Sequence, residues 1–178
     1  MIVLMGMMGS GKSSVGRMLT RRLNLVAIDL DREIERRVGL TVAEIFALHG
    51  EAYFRILEEE ALLRLAETGR PMILSLGGGA VLAQRGMEAL KTKATAVIYL
   101  KASVPQLLMR LKHSRVKRPL LENTADPSGR LRELLAVRRP LYERYADFTV
   151  DTNGKLLSAV AEEIYDLVRP RLSARGRD

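Results

Sequence analysis

The sequence contains no cysteine and no tryptophan, and only 4% of its 178 residues are aromatic. Without cysteine the chain can form neither disulfide bonds nor thiolate metal sites, which favours a reducing compartment. With so few aromatic rings it lacks the stacking platform that single-stranded nucleic acids use. No apolar run approaches the roughly 18 residues of a membrane-spanning helix, and the N-terminal residues lack the charged start of a signal peptide. These absences predict a cytoplasmic protein that binds neither membranes nor nucleic acid.

The charged residues are unbalanced, because 29 Lys and Arg against 21 Asp and Glu give a net charge of +8. The arginines are scattered along the chain and concentrate only near its end, where residues 173–178 predict a basic tail. Scattered positive charge without interleaved aromatic residues favours a cleft for a small anion, such as a polyphosphate or a carboxylate, over a nucleic-acid surface.

Short apolar runs of β-forming residues alternate with longer segments of helical periodicity, and no internal repeat is present. This alternation predicts an α/β fold with a parallel sheet, in one domain that spans residues 1–178. Strands are predicted at residues 1–5, 25–29, 71–76, 95–100 and 148–151. Helices are predicted at residues 12–23, 31–38, 42–48, 51–68, 103–112, 129–145 and 156–172.

Local signals refine this map at helix ends and in one long connection. Thr41 and Glu44 have the spacing of a capping box, and Gly39 and Gly69 stand where helices are expected to end. Residues 113–128 are polar, basic and interrupted by proline. A connection of that length in a compact domain tends to be functional, so we predict a mobile lid there.

The strongest motif is "GMMGSGKS" at residues 6–13, which fits the P-loop pattern G-x-x-x-x-G-K-[ST] and lies between a predicted strand and a predicted helix. Its backbone N–H groups can surround phosphate oxygens, while the lysine reaches the β and γ phosphates and the serine hydroxyl binds Mg²⁺. Chance produces this pattern in roughly one chain per hundred. The predicted ATP-binding residues of the loop are Gly9, Ser10, Gly11, Lys12, Ser13 and Ser14.

Two carboxylates follow the second predicted strand, in "IDLD". No Asn-Lys-x-Asp motif of a GTPase is present, and the third strand runs into three glycines where a typical P-loop ATPase places an aspartate. At the carboxyl end of an extended strand residues i and i+2 face the same side, so Asp29 and Asp31 should project together at the sheet edge where the phosphate loop lies. We therefore predict that Asp29, with Ser13, holds the metal, and that Asp31 meets a substrate hydroxyl. The alternative is that Asp31 merely caps a helix beginning at Arg32.

Further motifs follow in a fixed order along the chain. Together with the phosphate loop they are "GMMGSGKSS" at 6–14, "DLD" at 29–31, "FRILE" at 54–58, "SLGGGAV" at 75–81, "RPLL" at 118–121, "RRPLY" at 138–142 and "VDTN" at 150–153. On these seven motifs the chain resembles the shikimate kinases over nearly its full length.

The resemblance implies ATP-dependent phosphorylation of the 3-hydroxyl of shikimate, a step towards chorismate and the aromatic amino acids. It also implies a P-loop kinase fold similar to that of nucleoside monophosphate kinases, with a five-stranded parallel sheet of order 2-3-1-4-5 flanked by helices. A substrate-binding helical region would span about residues 31–62, and the lid about residues 113–128. Mg²⁺ would be the cofactor, ATP the co-substrate, and the protein a monomer.

Carried over to this sequence, the resemblance assigns shikimate binding to Asp31, Arg55, the glycines Gly77, Gly78 and Gly79, and Arg138. The two arginines can clamp a carboxylate by charge-assisted hydrogen bonds, and the glycines let the backbone approach the ring. Asp31 would take the hydroxyls and accept the proton of the attacking one. Glu58, one helical turn after Arg55, would orient that arginine or form only a surface pair with it.

The catalytic residues implied are Lys12, Asp31 and Arg118, the last of them in the lid. Phosphoryl transfer needs positioning and charge neutralisation, which Lys12, Mg²⁺ and Arg118 would supply. Arg110 and Arg118 are also assigned to ATP, with Arg115 as a rival of Arg110 at the adenine, because the spacing from Arg110 to Arg118 is one residue longer than in some relatives. A second departure is Gly154-Lys155-Leu156 after "DTN", where family members carry a basic or polar residue and often a proline.

Two other functions fit parts of the pattern. A related small-metabolite kinase, such as a gluconate kinase, would act on a polyol with less need for two arginines facing the glycine run. A catalytically silent paralogue would bind nucleotide and transfer nothing, although it would have no need for the full set of charged residues.

Overall fold

Five parallel strands form one sheet in the order β2-β3-β1-β4-β5. The computed structural model describes residues 1–113, 119–121 and 124–175. The strands are β1 (Ile2–Met5), β2 (Val26–Asp29), β3 (Met72–Ser75), β4 (Ala96–Lys101) and β5 (Phe148–Asp151). The helices are α1 (Lys12–Leu23), α2 (Leu30–Val38), α3 (Val42–Glu67), α4 (Gln84–Lys93), α5 (Val104–Lys112), α6 (Pro127–Tyr145) and α7 (Leu157–Arg175), with short 3₁₀ helices at Ala80–Leu82 and Pro119–Leu121.

The central strands are apolar because helices cover both faces of the sheet. On one face, α1 and α7 pack on side chains such as Leu4 and Ile98. On the other face, α3, α4 and α6 pack on side chains such as Val3 and Leu74. The register pairs Leu4 with Ser75 and Asp29 with Ser75 across neighbouring strands. The carboxyl ends of β1, β2 and β3 therefore meet at one edge, which is where α/β proteins bind ligands.

The predicted sheet is confirmed in strand order, and each predicted strand overlaps an observed one. One helix was not predicted, α4. Its close packing on α3 depends on Gly86, where a Cβ would lie 2.7 Å from the Cβ of Leu62. The local pattern of this polar, glycine-containing segment does not reveal that contact, so the helix was not predicted.

The helix ends largely follow the local signals. Thr41 and Glu44 form both hydrogen bonds of the capping box, and Gly39 caps α2 with φ of +78°. The gap predicted between residues 48 and 51 coincides with a kink in α3 at Gly50, whose φ is +80°. Gly69, with φ of +59°, directly follows the cap of α3.

The predicted lid falls only partly within the described residues, because 114–118 and 122–123 lie outside them. Residues 119–121 form one of the short 3₁₀ helices, and α6 begins at Pro127, two residues before the predicted start. Among the residues that the structure describes, no helix combines the length and the apolar composition needed to cross a membrane.

Candidate active site

The phosphate loop curls at the end of β1 and leads directly into α1. Gly9 and Gly11 adopt φ of +80° and +99°, values that favour glycine. The Lys12 side chain is 7% exposed and folds over the loop, where its Nζ donates to the carbonyl oxygens of Gly6 and Met7, each at 2.8 Å. A buried ammonium at the N-terminus of a helix forms a site for a phosphate.

Ser13 and Asp29 meet beside this loop. The Ser13 hydroxyl donates to Oδ2 of Asp29 at 2.5 Å, and Oδ1 of Asp29 accepts from the backbone N–H of Arg32 at 3.4 Å. A hydroxyl next to a carboxylate suits Mg²⁺, which binds through one or two protein oxygens together with phosphates and water. No group of three or more metal-binding His, Asp or Glu side chains occurs within the described ranges. A metal at Ser13 and Asp29 would thus rely on the nucleotide for further ligands.

Asp31 lines the same cavity as Asp29, but for a different reason than predicted. The strand ends at Asp29, and α2 begins at Leu30 with Asp29 as its N-cap. The prediction that alternation along a strand brings the two carboxylates together was therefore wrong, and so was the alternative of Asp31 as the helix cap. Asp31 reaches the cavity from the first turn of α2, which leaves the carboxyl edge of the sheet.

Gly77 lies against two acidic side chains. A Cβ at this position would lie 2.6 Å from Oδ1 of Asp31 and 2.7 Å from Oε1 of Glu58. Both distances are shorter than ordinary contacts, so a side chain at position 77 would force the two carboxylates to move, whereas glycine leaves room for them.

Arg55 is held on both sides by carboxylates from its own helix. Its Nη1 donates to Glu58 at 2.6 Å, and its Nη2 donates to Glu51 at 2.8 Å. Burial alone would lower the pKa of Arg55, but the two carboxylates hold it above its usual value. A Cβ at Gly79 would collide with the guanidinium of Arg55, which places the arginine directly over the glycine run.

Arg138 approaches the same glycines from α6. It is 2% exposed, and its Nη1 lies 3.9 Å from Sδ of Met7 in the phosphate loop and 3.7 Å from where a Cβ of Gly78 would be. Burial lowers its pKa. None of the ion pairs among the described residues includes Arg138, so this buried cation is suited to an anionic ligand.

Glu58 is fully buried between Arg55 and Asp31. Desolvation raises its pKa to about 7, although Arg55 opposes this shift, and the charge of Asp31 adds to it. The partly exposed Arg55–Glu58 pair is more than a surface pair, because one partner has no solvent access.

The raised pKa of Glu58 makes the stability of the fold depend on pH. Between the usual value of 4.5 and about 7, the folded chain binds more protons at Glu58 than the unfolded chain does. The contribution of Glu58 to the free energy of unfolding should therefore fall as pH rises through this window, by about 3 kcal/mol in total. We expect urea titrations of wild type and Glu58→Gln at pH 4.5 to 8 to show this difference between the two curves. A constant difference would contradict the assignment.

Arg110 anchors the opposite end of the cavity. Its guanidinium donates to Oγ1 of Thr152 at 2.9 Å, to the carbonyl oxygen of Thr152 at 2.6 Å, and to the carbonyl oxygen of Ser10 at 3.4 Å. Arg110 thus joins α5, the phosphate loop and the segment after β5. Leu156, in that segment, is 76% exposed and also lines the cavity.

These groups line one continuous cavity of about 1300 Å³. All of the predicted site residues that were just described line it. The phosphate loop and Arg110 lie at one end, and Asp31, Arg55 and Arg138 lie around the glycine run at the other. Gly9, Gly11 and Ser14 also line it, whereas Ser10 is buried and does not line it. Arg118 and its neighbour Arg115 lie outside the described residues.

Two groups near the glycine run were missed in the sequence. Glu51 binds Arg55, a contact that the i, i+4 spacing could have revealed. Tyr142 donates its hydroxyl to the carbonyl oxygen of Gly78 at 2.5 Å, across 64 positions of sequence. Tyr142 ends the motif "RRPLY" and lies one helical turn after Arg138, but neither signal indicated its contact with Gly78.

The fold and this cavity define a class of protein. A parallel sheet of order 2-3-1-4-5, a P-loop with its lysine and serine in place, and a second polar wall at the far end of the same cavity make the chain a P-loop phosphotransferase.

Comparison with known proteins narrows the class. A family model described as "Shikimate kinase" matches residues 8–169. The shikimate kinase of Bordetella pertussis is 44% identical over 173 residues, which cover 97% of this chain and 78% of that protein. The chain belongs to the shikimate kinase family.

Solved structures agree with this assignment. The shikimate kinase from Acinetobacter baumannii in complex with shikimate has a TM-score of 0.88 and 38% identity, covering 95% of this chain and 92% of that one. A gluconokinase from Sinorhizobium meliloti has a TM-score of 0.58 and 20% identity, covering 99% of this chain and 96% of that one. The gluconokinase shares the fold alone, so the gluconate kinase alternative is the weaker one.

Proposed function

We propose that this protein transfers the γ-phosphoryl group of ATP to the 3-hydroxyl of shikimate. The observation that carries the proposal is the cavity, which joins a phosphate-binding loop to a wall containing two arginines and a carboxylate. Shikimate has one carboxylate and several hydroxyls, so this wall matches its charge and its hydrogen-bonding groups.

The nucleotide half of the site consists of the phosphate loop, α1 and Arg110. Lys12 would move from the loop carbonyls to the β and γ phosphates, and the N–H groups at the start of α1 would bind phosphate oxygens. Arg110, already fixed by Thr152, would flank the adenine. Arg118, from the lid, is proposed to neutralise charge on the γ-phosphoryl group.

Ser13 and Asp29 fit a magnesium ion, because both present oxygen atoms next to the phosphate loop. The ion would supply positive charge to the β and γ phosphates when nucleotide is bound. Asp29 caps α2 at the same time, which holds its carboxylate in place.

The shikimate half of the site consists of Arg55, Arg138, Asp31 and the backbone of residues 77–79. The arginines bind the carboxylate, and Asp31 binds the hydroxyls. As the shikimate oxygen bonds to the γ phosphorus, the bond from that phosphorus to the β–γ bridging oxygen breaks, and the hydroxyl proton passes to Asp31. ADP leaves with the electron pair of the broken bond.

We extend the proposal to a single-domain monomer of the cytoplasm that acts on shikimate and ATP and binds no nucleic acid. The few aromatic residues and the scattered basic residues support a small anionic substrate over a nucleic acid.

A coupled assay of ADP formation tests the function directly. We expect ADP to form with ATP, Mg²⁺ and shikimate, and to remain at background when gluconate replaces shikimate. Phosphorus NMR of the product should place the phosphate on the 3-position. Lys12→Met serves as the matched inactive control. Turnover of gluconate would favour the related kinase, and ATP binding without shikimate-dependent ADP would favour a silent paralogue.

A further inference from the structure

Tyr142 is a buried phenol that the proposed mechanism does not use. It lies on α6 one turn after Arg138, and none of its surface is exposed. Burial raises its pKa, so the phenol remains a neutral hydrogen-bond donor at physiological pH. Its hydroxyl donates to the carbonyl oxygen of Gly78 at 2.5 Å and lies 3.6 Å from Sδ of Met7.

Packing fixes where this hydroxyl can be. The Tyr142 ring stacks on Tyr99 of β4, with 4.9 Å between ring centroids and 23° between planes. Tyr99 is 1% exposed, so the pair is enclosed between the sheet and α6. A ring with so little freedom holds its hydroxyl in one position, and through it the carbonyl of Gly78.

The Gly78 backbone is also crowded by the phosphate loop, because a Cβ there would lie 3.1 Å from the backbone nitrogen of Met8. No peptide bond among the described residues is cis. In a planar trans peptide the C=O and the next N–H point in opposite directions. Holding the Gly78 carbonyl towards α6 therefore directs the N–H of Gly79 away from α6.

We propose that Tyr142 is a positioning residue for shikimate. Its hydroxyl fixes the peptide between Gly78 and Gly79, and so sets the backbone surface that the substrate meets between Arg55 and Arg138. The inference rests on the proposed shikimate site. Met7 connects Tyr142 to the phosphate loop, since its Sδ contacts both the Tyr142 hydroxyl and Nη1 of Arg138.

Steady-state kinetics of Tyr142→Phe test the role. Without the hydroxyl the Gly78 carbonyl loses its donor, and the peptide is free to rotate out of its binding orientation. We expect the KM for shikimate to rise about fivefold to 20-fold, with kcat and the KM for ATP changed by less than about threefold. Tyr99→Phe is the matched control, because it removes a hydroxyl from the stacked partner, and that hydroxyl interacts with Arg139 instead of Gly78.

Arg55→Lys, measured in parallel, distinguishes a failure of the positioning role from a failure of the shikimate site itself. An unchanged shikimate KM in Tyr142→Phe, together with a raised one in Arg55→Lys, overturns the positioning role alone. An unchanged KM in both variants overturns the shikimate site and the positioning role with it. If Tyr142→Phe changes the KM for shikimate and the KM for ATP equally, the effect is purely structural and the proposal is overturned. The same holds if Tyr99→Phe raises the KM for shikimate as much as Tyr142→Phe does.

A second variant keeps the test decisive if Tyr142→Phe is too unstable to assay. p-Aminophenylalanine at position 142 retains the ring and a para N–H donor. We expect its shikimate KM to lie within about threefold of wild type. A folded protein with this residue and a strongly raised KM would contradict the proposal.

Discussion

Replacing Asp31 with asparagine is expected to lower kcat with shikimate by about 10²-fold to 10⁴-fold, the usual contribution of a positioned general base. Asparagine has nearly the same shape, so it fits beside Gly77 and keeps one hydrogen-bond acceptor for a hydroxyl. It cannot accept a proton at physiological pH. The loss should therefore appear in turnover more than in ATP binding, and a coupled assay under saturating ATP measures it.

Asp29→Asn is the matched control, because the two carboxylates lie two residues apart in one cavity. Asparagine is as good an N-cap as aspartate, so α2 should keep its start and the protein its stability. We expect this variant to need more Mg²⁺ for half-maximal activity, with a smaller change in the KM for shikimate. Near-normal turnover in Asp31→Asn, or one shared phenotype in both variants, would show that the division of labour between the carboxylates is wrong.

The sheet and the phosphate loop could be predicted from the sequence because both depend on local pattern. An apolar run covered on both faces is recognisable as a strand, and the loop requires glycine, lysine and serine at fixed positions. The break predicted between the helices at 42–48 and 51–68 also rests on local pattern, since one glycine with positive φ, Gly50, kinks α3 there.

The rest of the site depends on contacts between distant segments. Asp31 was brought to the cavity by strand alternation although the predicted strand already ended at Asp29, and the pattern did not show that Asp29 itself caps the helix that carries Asp31. Glu58 has its raised pKa only because the fold buries it next to Asp31. The hydrogen bond from Tyr142 to Gly78 joins a helix to a glycine run far away in sequence. Long-range burial and geometry of this kind leave no local signature.

Arg138→Met is expected to raise the KM for shikimate by about 30-fold to several thousandfold, because removing one member of a buried charge pair costs about 2–5 kcal/mol of binding. Methionine has similar length and no charge. The KM for ATP should change far less, since the Lys12 end of the cavity stays intact. Arg132→Met is the control on the same helix, where an exposed arginine should contribute little.

The same substitution should leave the unliganded protein as stable as wild type or more stable. Arg138 is 2% exposed and belongs to none of the ion pairs among the described residues, so its charge is buried at a cost that the nearby Glu51 and Glu58 offset only in part and an anionic ligand would offset further. Thermal unfolding with and without shikimate measures both effects: shikimate should raise the Tm of wild type and of Arg132→Met, but not that of Arg138→Met. A large loss of Tm without ligand, combined with a normal response to shikimate, would mean that Arg138 serves the core and not the substrate.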